Sequence, residues 1–161
     1  MQRALRLLSS RERTVRELDQ QLQKQGVTPD ERAAALARVK ELGYIDDASV
    51  ARARATRQVG KGEAPRLVQQ KLLRQGIAAG AAQEAVSAAS EGKTEVELAK
   101  AALDKRLRGR PVRDDKERQR LLRFLMGRGH RPSAAFAALK QAGLPAVEVD
   151  GELDDDGFDE G

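Results

Sequence analysis

The chain of 161 residues contains no cysteine, no tryptophan, a single histidine and only four other aromatic side chains, Tyr44, Phe124, Phe136 and Phe158. Without cysteine there are no disulfides and no thiolate chemistry, and a reducing compartment suits the chain. One histidine and no cysteine cannot assemble a zinc site from the usual ligand sets, so neither metal nor cofactor is expected. No apolar run approaches the roughly 18 residues of a membrane span, and the N-terminal residues carry no signal-peptide core. A cytoplasmic protein without a membrane partner is the expectation. Strand signals are missing as well: strict alternation and β-branched clusters do not occur.

What is present is a repeat. Aligned on Gly26, Gly76 and Gly129, the sequence places Leu18, Val68 and Leu121 eight residues before the glycine, and Leu22, Leu72 and Leu125 four before it. Leu36, Val86 and Leu139 fall ten after it. A period of about 50 residues lies in the range of repeat architectures, whose long surfaces suit a large partner better than a small substrate. Helix punctuation is legible. Thr14 to Glu17 fits a capping box, and Thr28 is an N-cap followed by Pro29 and the acids Asp30 and Glu31. Thr94 to Glu97 and Asp114 to Glu117 repeat that spacing, Asp46 reads as an N-cap, and Gly26, Gly43, Gly76 and Gly143 stand where periodic segments stop. Helices are predicted near 3–10, 14–25, 29–42, 47–59, 64–75, 80–90, 94–108, 115–128 and 132–142. Gly60-Lys61-Gly62 and the span 109–114 are predicted joints. Core pairs at helical spacing are Leu18 with Leu22, Leu36 with Val39, Val68 with Leu72, Val96 with Leu103, and Leu121 with Leu125.

Charge is distributed unevenly. All 30 Lys and Arg lie within residues 1–143 beside 17 acids, a net of +13, whereas residues 144–161 hold eight acids and no base. A basic body suggests a polyanionic partner, or a partner that is itself bound to one. Arg54, Arg57 and Lys61 are spaced to share one helix face, with Arg66, Lys71 and Arg74 on the next helix. Lys116, Arg120 and Arg123 form another stripe, preceded by Arg106, Arg108, Arg110 and Arg113. Such stripes either neutralise phosphates or are plain solvated helix faces. Catalysis finds no support. His130 stands at a helix–helix turn where the other repeats have Val27 and Ile77, and it reads as a structural histidine. Gly60-Lys61-Gly62 lacks the hydroxyl residue of a phosphate-binding loop, and the Asp-rich tail lacks calcium-loop spacing. Phe124 and Phe136 read as core residues and Tyr44 as a packing residue between the first two modules, so no aromatic platform for stacking bases is expected.

Several segments resemble the RecX family of bacterial recombination regulators. Residues 4–9 (Ala-Leu-Arg-Leu-Leu-Ser), Arg16-Glu17-Leu18 with Leu22, and residues 41–47 (Glu-Leu-Gly-Tyr-Ile-Asp-Asp) are similar to its first module. Lys61-Gly62, Pro65-Arg66 and Gln75-Gly76-Ile77 are similar to its second, and residues 118–125 with Arg128-Gly129 to its third. His130-Arg131-Pro132 departs from the family pattern. The resemblance covers roughly 3–143, and it implies an all-helical array that binds the RecA recombinase. Family members lodge in the groove of the RecA–DNA filament and act as negative modulators of filament growth, ATPase, strand exchange and co-protease activity.

The combined expectation is an all-α protein, an elongated and curved tandem array of three three-helix modules over 1–43, 44–92 and 93–143. An acidic disordered tail over 144–161 follows, either a solubilising extension or an internal polyanion competing for the basic face. The expected role is that of a monomeric RecA modulator rather than an enzyme, meeting the RecA filament and single- or double-stranded DNA backbone through Arg54, Arg57, Lys61, Arg66, Arg120 and Arg123. The alternative is a stand-alone, non-sequence-specific DNA-binding protein.

Overall fold

A computed structural model describes residues 1–144; the acidic tail, Leu144 apart, lies outside the described residues. The described residues form nine helices and no strand: α1 (Gln2–Ser10), α2 (Val15–Lys24), α3 (Pro29–Glu41), α4 (Asp47–Gly60), α5 (Pro65–Arg74), α6 (Ala79–Ser90), α7 (Glu95–Leu107), α8 (Asp115–Gly127) and α9 (Pro132–Gln141). Five of these helices start on a side-chain cap. Thr14, Thr28 and Thr94 each accept the N–H of a glutamate three residues on, while that glutamate accepts the threonine's own N–H. Asp46 accepts from Ala48 and Ser49, as an N-cap should.

The helices pack in consecutive triplets, α1–α3, α4–α6 and α7–α9, each around its own apolar cluster. Leu18, Leu22 and Val39 centre the first, Val68, Leu72 and Val86 the second, Leu103, Leu121 and Leu125 the third. Val96 differs from expectation: it is half-buried, and Leu98, two residues on, reaches back into the second cluster instead. Tyr44 also differs. It is 57% exposed, because Gly43 turns the chain at φ +70 and Ile45 takes the buried position in the first cluster.

One polar contact between modules recurs at both joints. The start of a module's middle helix sits on the glycine turn of the next module. At the first joint the buried Thr14 hydroxyl donates to Gln75 O (2.6 Å) while still capping α2, and the Val15 N–H donates to the Asp47 carboxylate (2.9 Å). At the second, the Ala64 N–H donates to Arg128 O (2.8 Å) and Arg66 Nε to Gly129 O (2.6 Å). The carbonyls of Gly60, Lys61 and Gly62, at the end of α4, receive Lys105, Arg128 and His130 in turn. The predicted Gly-Lys-Gly joint is thus a socket for the third module, and two of its three guests are cations placed at a helix C-terminus, where the helix dipole favours them.

The ends of the array are finished differently. Gln25 O, in the position of Gln75 O and Arg128 O, is covered by Arg3 of the module's own α1 (3.3 Å). At the other end α8 has 13 residues against ten for α2 and α5.

The glycine turns report how closely the modules approach. A Cβ on Gly76 would stand 2.6 Å from Arg16 Cβ, and one on Gly129 2.6 Å from Leu67 Cβ, whereas one on Gly26 meets nothing within 4 Å. All three glycines have positive φ, so an alanine costs about 1–2 kcal/mol of backbone strain at each. Gly76→Ala and Gly129→Ala are therefore expected to lose at least about 1 kcal/mol more than Gly26→Ala in urea unfolding. Equal losses at all three would contradict the joints.

Candidate polyanion-binding surface

The structure separates the six residues singled out from sequence. Arg54 leaves the α4 stripe. Its guanidinium grips the Glu17 carboxylate through both terminal nitrogens (2.8 and 2.9 Å), and also donates to Gln75 Oε1 and Glu12 O. Only 11% of its side chain is exposed, so it works as a clamp between the first two modules. Arg57 remains exposed, on the rim of a cleft of about 390 Å³ that it shares with Arg11, Glu12, Gln58 and the Arg54–Glu17 pair. Lys61 is exposed beside the second joint, and the Arg66 head is held there by Gly129 O. Arg120 and Arg123 stand exposed on α8, away from both joints.

Glu17 and His130 carry the electrostatics of the joints. Burial opposes the charge of Glu17, but hydrogen bonds from Arg54 and the Thr14 N–H, with the charges of Arg54 and Arg11, hold its carboxyl below the usual range. His130 is 1% exposed. A carbonyl only accepts, so Nε2–H is the donor to Gly62 O at 2.9 Å, and Nδ1 is left as a buried lone pair with no partner among the described residues. Burial above all, aided by Arg66, lowers the His130 pKa against the opposing pull of Gly62 O and Glu95. The sequence reading of a structural histidine is borne out.

Charge is concentrated in the third module. Residues 1–43 carry nine Lys/Arg and six Asp/Glu (+3), and 44–92 carry seven and five (+2). Residues 93–143 carry fourteen and six, a net of +8. Arg106, Arg108, Arg113, Lys116, Arg120 and Arg123 are all exposed, and none makes an ion pair among the described residues. Phe124 organises part of this face. It is half-buried against the third cluster, and the guanidiniums of Arg106 and Arg128 lie 4.4 and 5.3 Å from its ring centre. Arg120 is one turn before it on α8, so the ring draws cations from α7 and the α8–α9 turn towards those of α8. No cluster of His, Cys, Asp or Glu among the described residues could hold a metal. No helix there is long and apolar enough to cross a membrane.

Comparison with known proteins gives this arrangement a family. Residues 1–38 match the family model for the first three-helix domain of RecX, and residues 93–139 that for its third. The regulatory protein RecX of Vibrio parahaemolyticus is 33% identical over 79% of this chain and 81% of its own. This chain belongs to the RecX family. The Streptomyces coelicolor RecX is 32% identical over 96% of this chain and 82% of its own. The crystal structure of RecX from Lactobacillus salivarius superposes with a TM-score of 0.66 at 18% identity, covering 88% of this chain and 93% of that one. The RecX fold and a regulatory role follow.

Sequence reasoning missed the joint residues. Thr14 was legible as a cap, but Gln75 O, to which its hydroxyl donates, is 61 residues away, and the Val15 N–H that Asp47 accepts is 32 residues from it. Only the repeat itself pointed there, since Gly76 and Gly129 occupy equivalent turns.

Two outcomes test this electrostatic picture. Arg54→Ala, which leaves Glu17 without its partner, is expected to cost about 1–3 kcal/mol in chemical unfolding, while Arg57→Ala changes stability by less than about 0.5 kcal/mol; equal effects would place Arg54 outside the joint. For His130, a folded pKa below the ordinary value of about 6.5 means that the stabilising contribution is complete above 6.5 and is lost as pH falls beneath it. Tm is expected to drop between pH 7.0 and 5.5, and His130→Gln, at the only histidine in the chain, removes most of that drop. An equally pH-dependent variant would assign the effect elsewhere.

Proposed function

We propose that this RecX-family protein is a cytoplasmic, monomeric negative modulator of the RecA recombinase. It lies in the groove of the RecA–DNA filament and hinders filament growth, and with it ATPase, strand exchange and co-protease activity. The observation that carries this reading is the third module, with a net charge of +8 and six exposed cations that have no acidic partner among the described residues. Such a face neutralises backbone phosphates without reading bases. Arg120 and Arg123 belong to it. Arg57, Lys61 and Arg66 continue the basic surface at the joints, and Arg54 acts through the geometry of the first joint.

The same face supports a second reading, a DNA-binding protein indifferent to any recombinase. Titrating the protein into the DNA-dependent ATPase of the cognate RecA on single-stranded DNA separates the two. The modulator inhibits at concentrations too low to coat the DNA. Inhibition only at DNA saturation, measured in parallel in the same salt, would instead mean competition for the lattice and overturn the proposal.

A further inference from the structure

The charge of the third module has a counterpart within the same chain. Residues 93–143 carry a net +8, and residues 145–161 carry eight acids and no base. The tail leaves the described structure from the third module itself. Leu144 packs against its apolar cluster, and the Leu144 N–H donates to Leu139 O (3.0 Å). Seventeen residues extend to about 55–60 Å, whereas the 13 residues of α8 span about 20 Å. Every cation on that helix is within reach, and a tethered ligand is present at an effective concentration in the millimolar range. The first two modules, at +3 and +2, offer a weaker and more distant target.

We infer that the acidic tail docks on the basic face of the third module and competes there with nucleic-acid phosphate. The chemistry is that of carboxylates meeting guanidinium and ammonium groups, a charge-assisted pairing that salt weakens when the groups are exposed. Arg106, Arg108, Arg113, Lys116, Arg120 and Arg123 are its receiving groups. A polyanion binds fully only after displacing the tail, so the tail sets a threshold of phosphate density below which the face stays covered. The competitive role rests on the reading that this face meets a polyanion; docking itself does not.

Two measurements on the full chain test it. The sequence has no cysteine, so Phe158→Cys gives a unique site for a nitroxide spin label. In 50 mM salt the label is expected to broaden the backbone amide NMR signals of residues 116–123 and to leave those of α3 sharp, and 500 mM salt is expected to abolish the effect. In the second experiment the eight tail acids are exchanged for their amides. This variant is expected to bind a short duplex about tenfold more tightly than the parent at 50 mM salt, a gain that shrinks towards unity at 500 mM. Absence of broadening at low salt overturns docking, and equal affinities of parent and variant overturn competition while leaving the polyanion reading in place. Failure of the amide variant to bind duplex or single-stranded DNA even at 50 mM salt overturns both competition and the polyanion reading.

Discussion

The array depends on backbone carbonyls at helix ends. The carbonyls of Gln75 and Arg128, at the close of α5 and α8, have no partner within their own helices, and each is taken by the start of the preceding module's middle helix. The donor differs, a threonine hydroxyl in one case and an alanine N–H in the other, but the place is the same. Each module is too small and too alanine-rich to bury much apolar surface alone. Neighbours add stability through apolar contact across the joint, as where Leu98 enters the second cluster, and through hydrogen bonds worth about 0.5–1.5 kcal/mol net each. Glycine at the turn lets a neighbouring side chain approach to a distance no Cβ would tolerate.

This mode of joining explains how the arginines divide. Arg54, Arg66 and Arg128 are tied to carbonyls or carboxylates at the joints and hold the modules in register. Arg106, Arg120 and Arg123 have no such task and stay at the surface of the third module. Guanidinium is suited to both roles, because one planar group can satisfy several acceptors at once or meet a phosphate. The joints fix the orientation of the modules, and with it the way the basic surface of the third module is presented.

Local order was legible in the sequence because it is written in local chemistry. The capping threonines with their glutamates marked three helix starts, and the apolar spacing around Gly26, Gly76 and Gly129 gave the three clusters. The interaction surface was less legible. Spacing alone put Arg54, Arg57 and Lys61 on one stripe, but spacing does not know that Glu17 stands opposite Arg54, 37 residues away. Tyr44 failed for a similar reason. Its aromatic character suggested packing, and only the turn at Gly43 decides that Ile45 goes inward instead. His130 was read correctly because a lone histidine replacing Val27 and Ile77 in a repeat has an apolar precedent for its position.

The proposed function places contact with nucleic-acid phosphate on the exposed cations of α8 rather than on the tethered ones at the joints. It is tested most directly by the salt dependence of DNA affinity for the parent and for a Lys116→Ala, Arg120→Ala, Arg123→Ala variant of unchanged Tm. Each phosphate contact contributes about 0.9 to the slope of log affinity against log salt concentration on duplex DNA. The slope is expected to be lower by about 2–3 in the variant. An unchanged slope would contradict it.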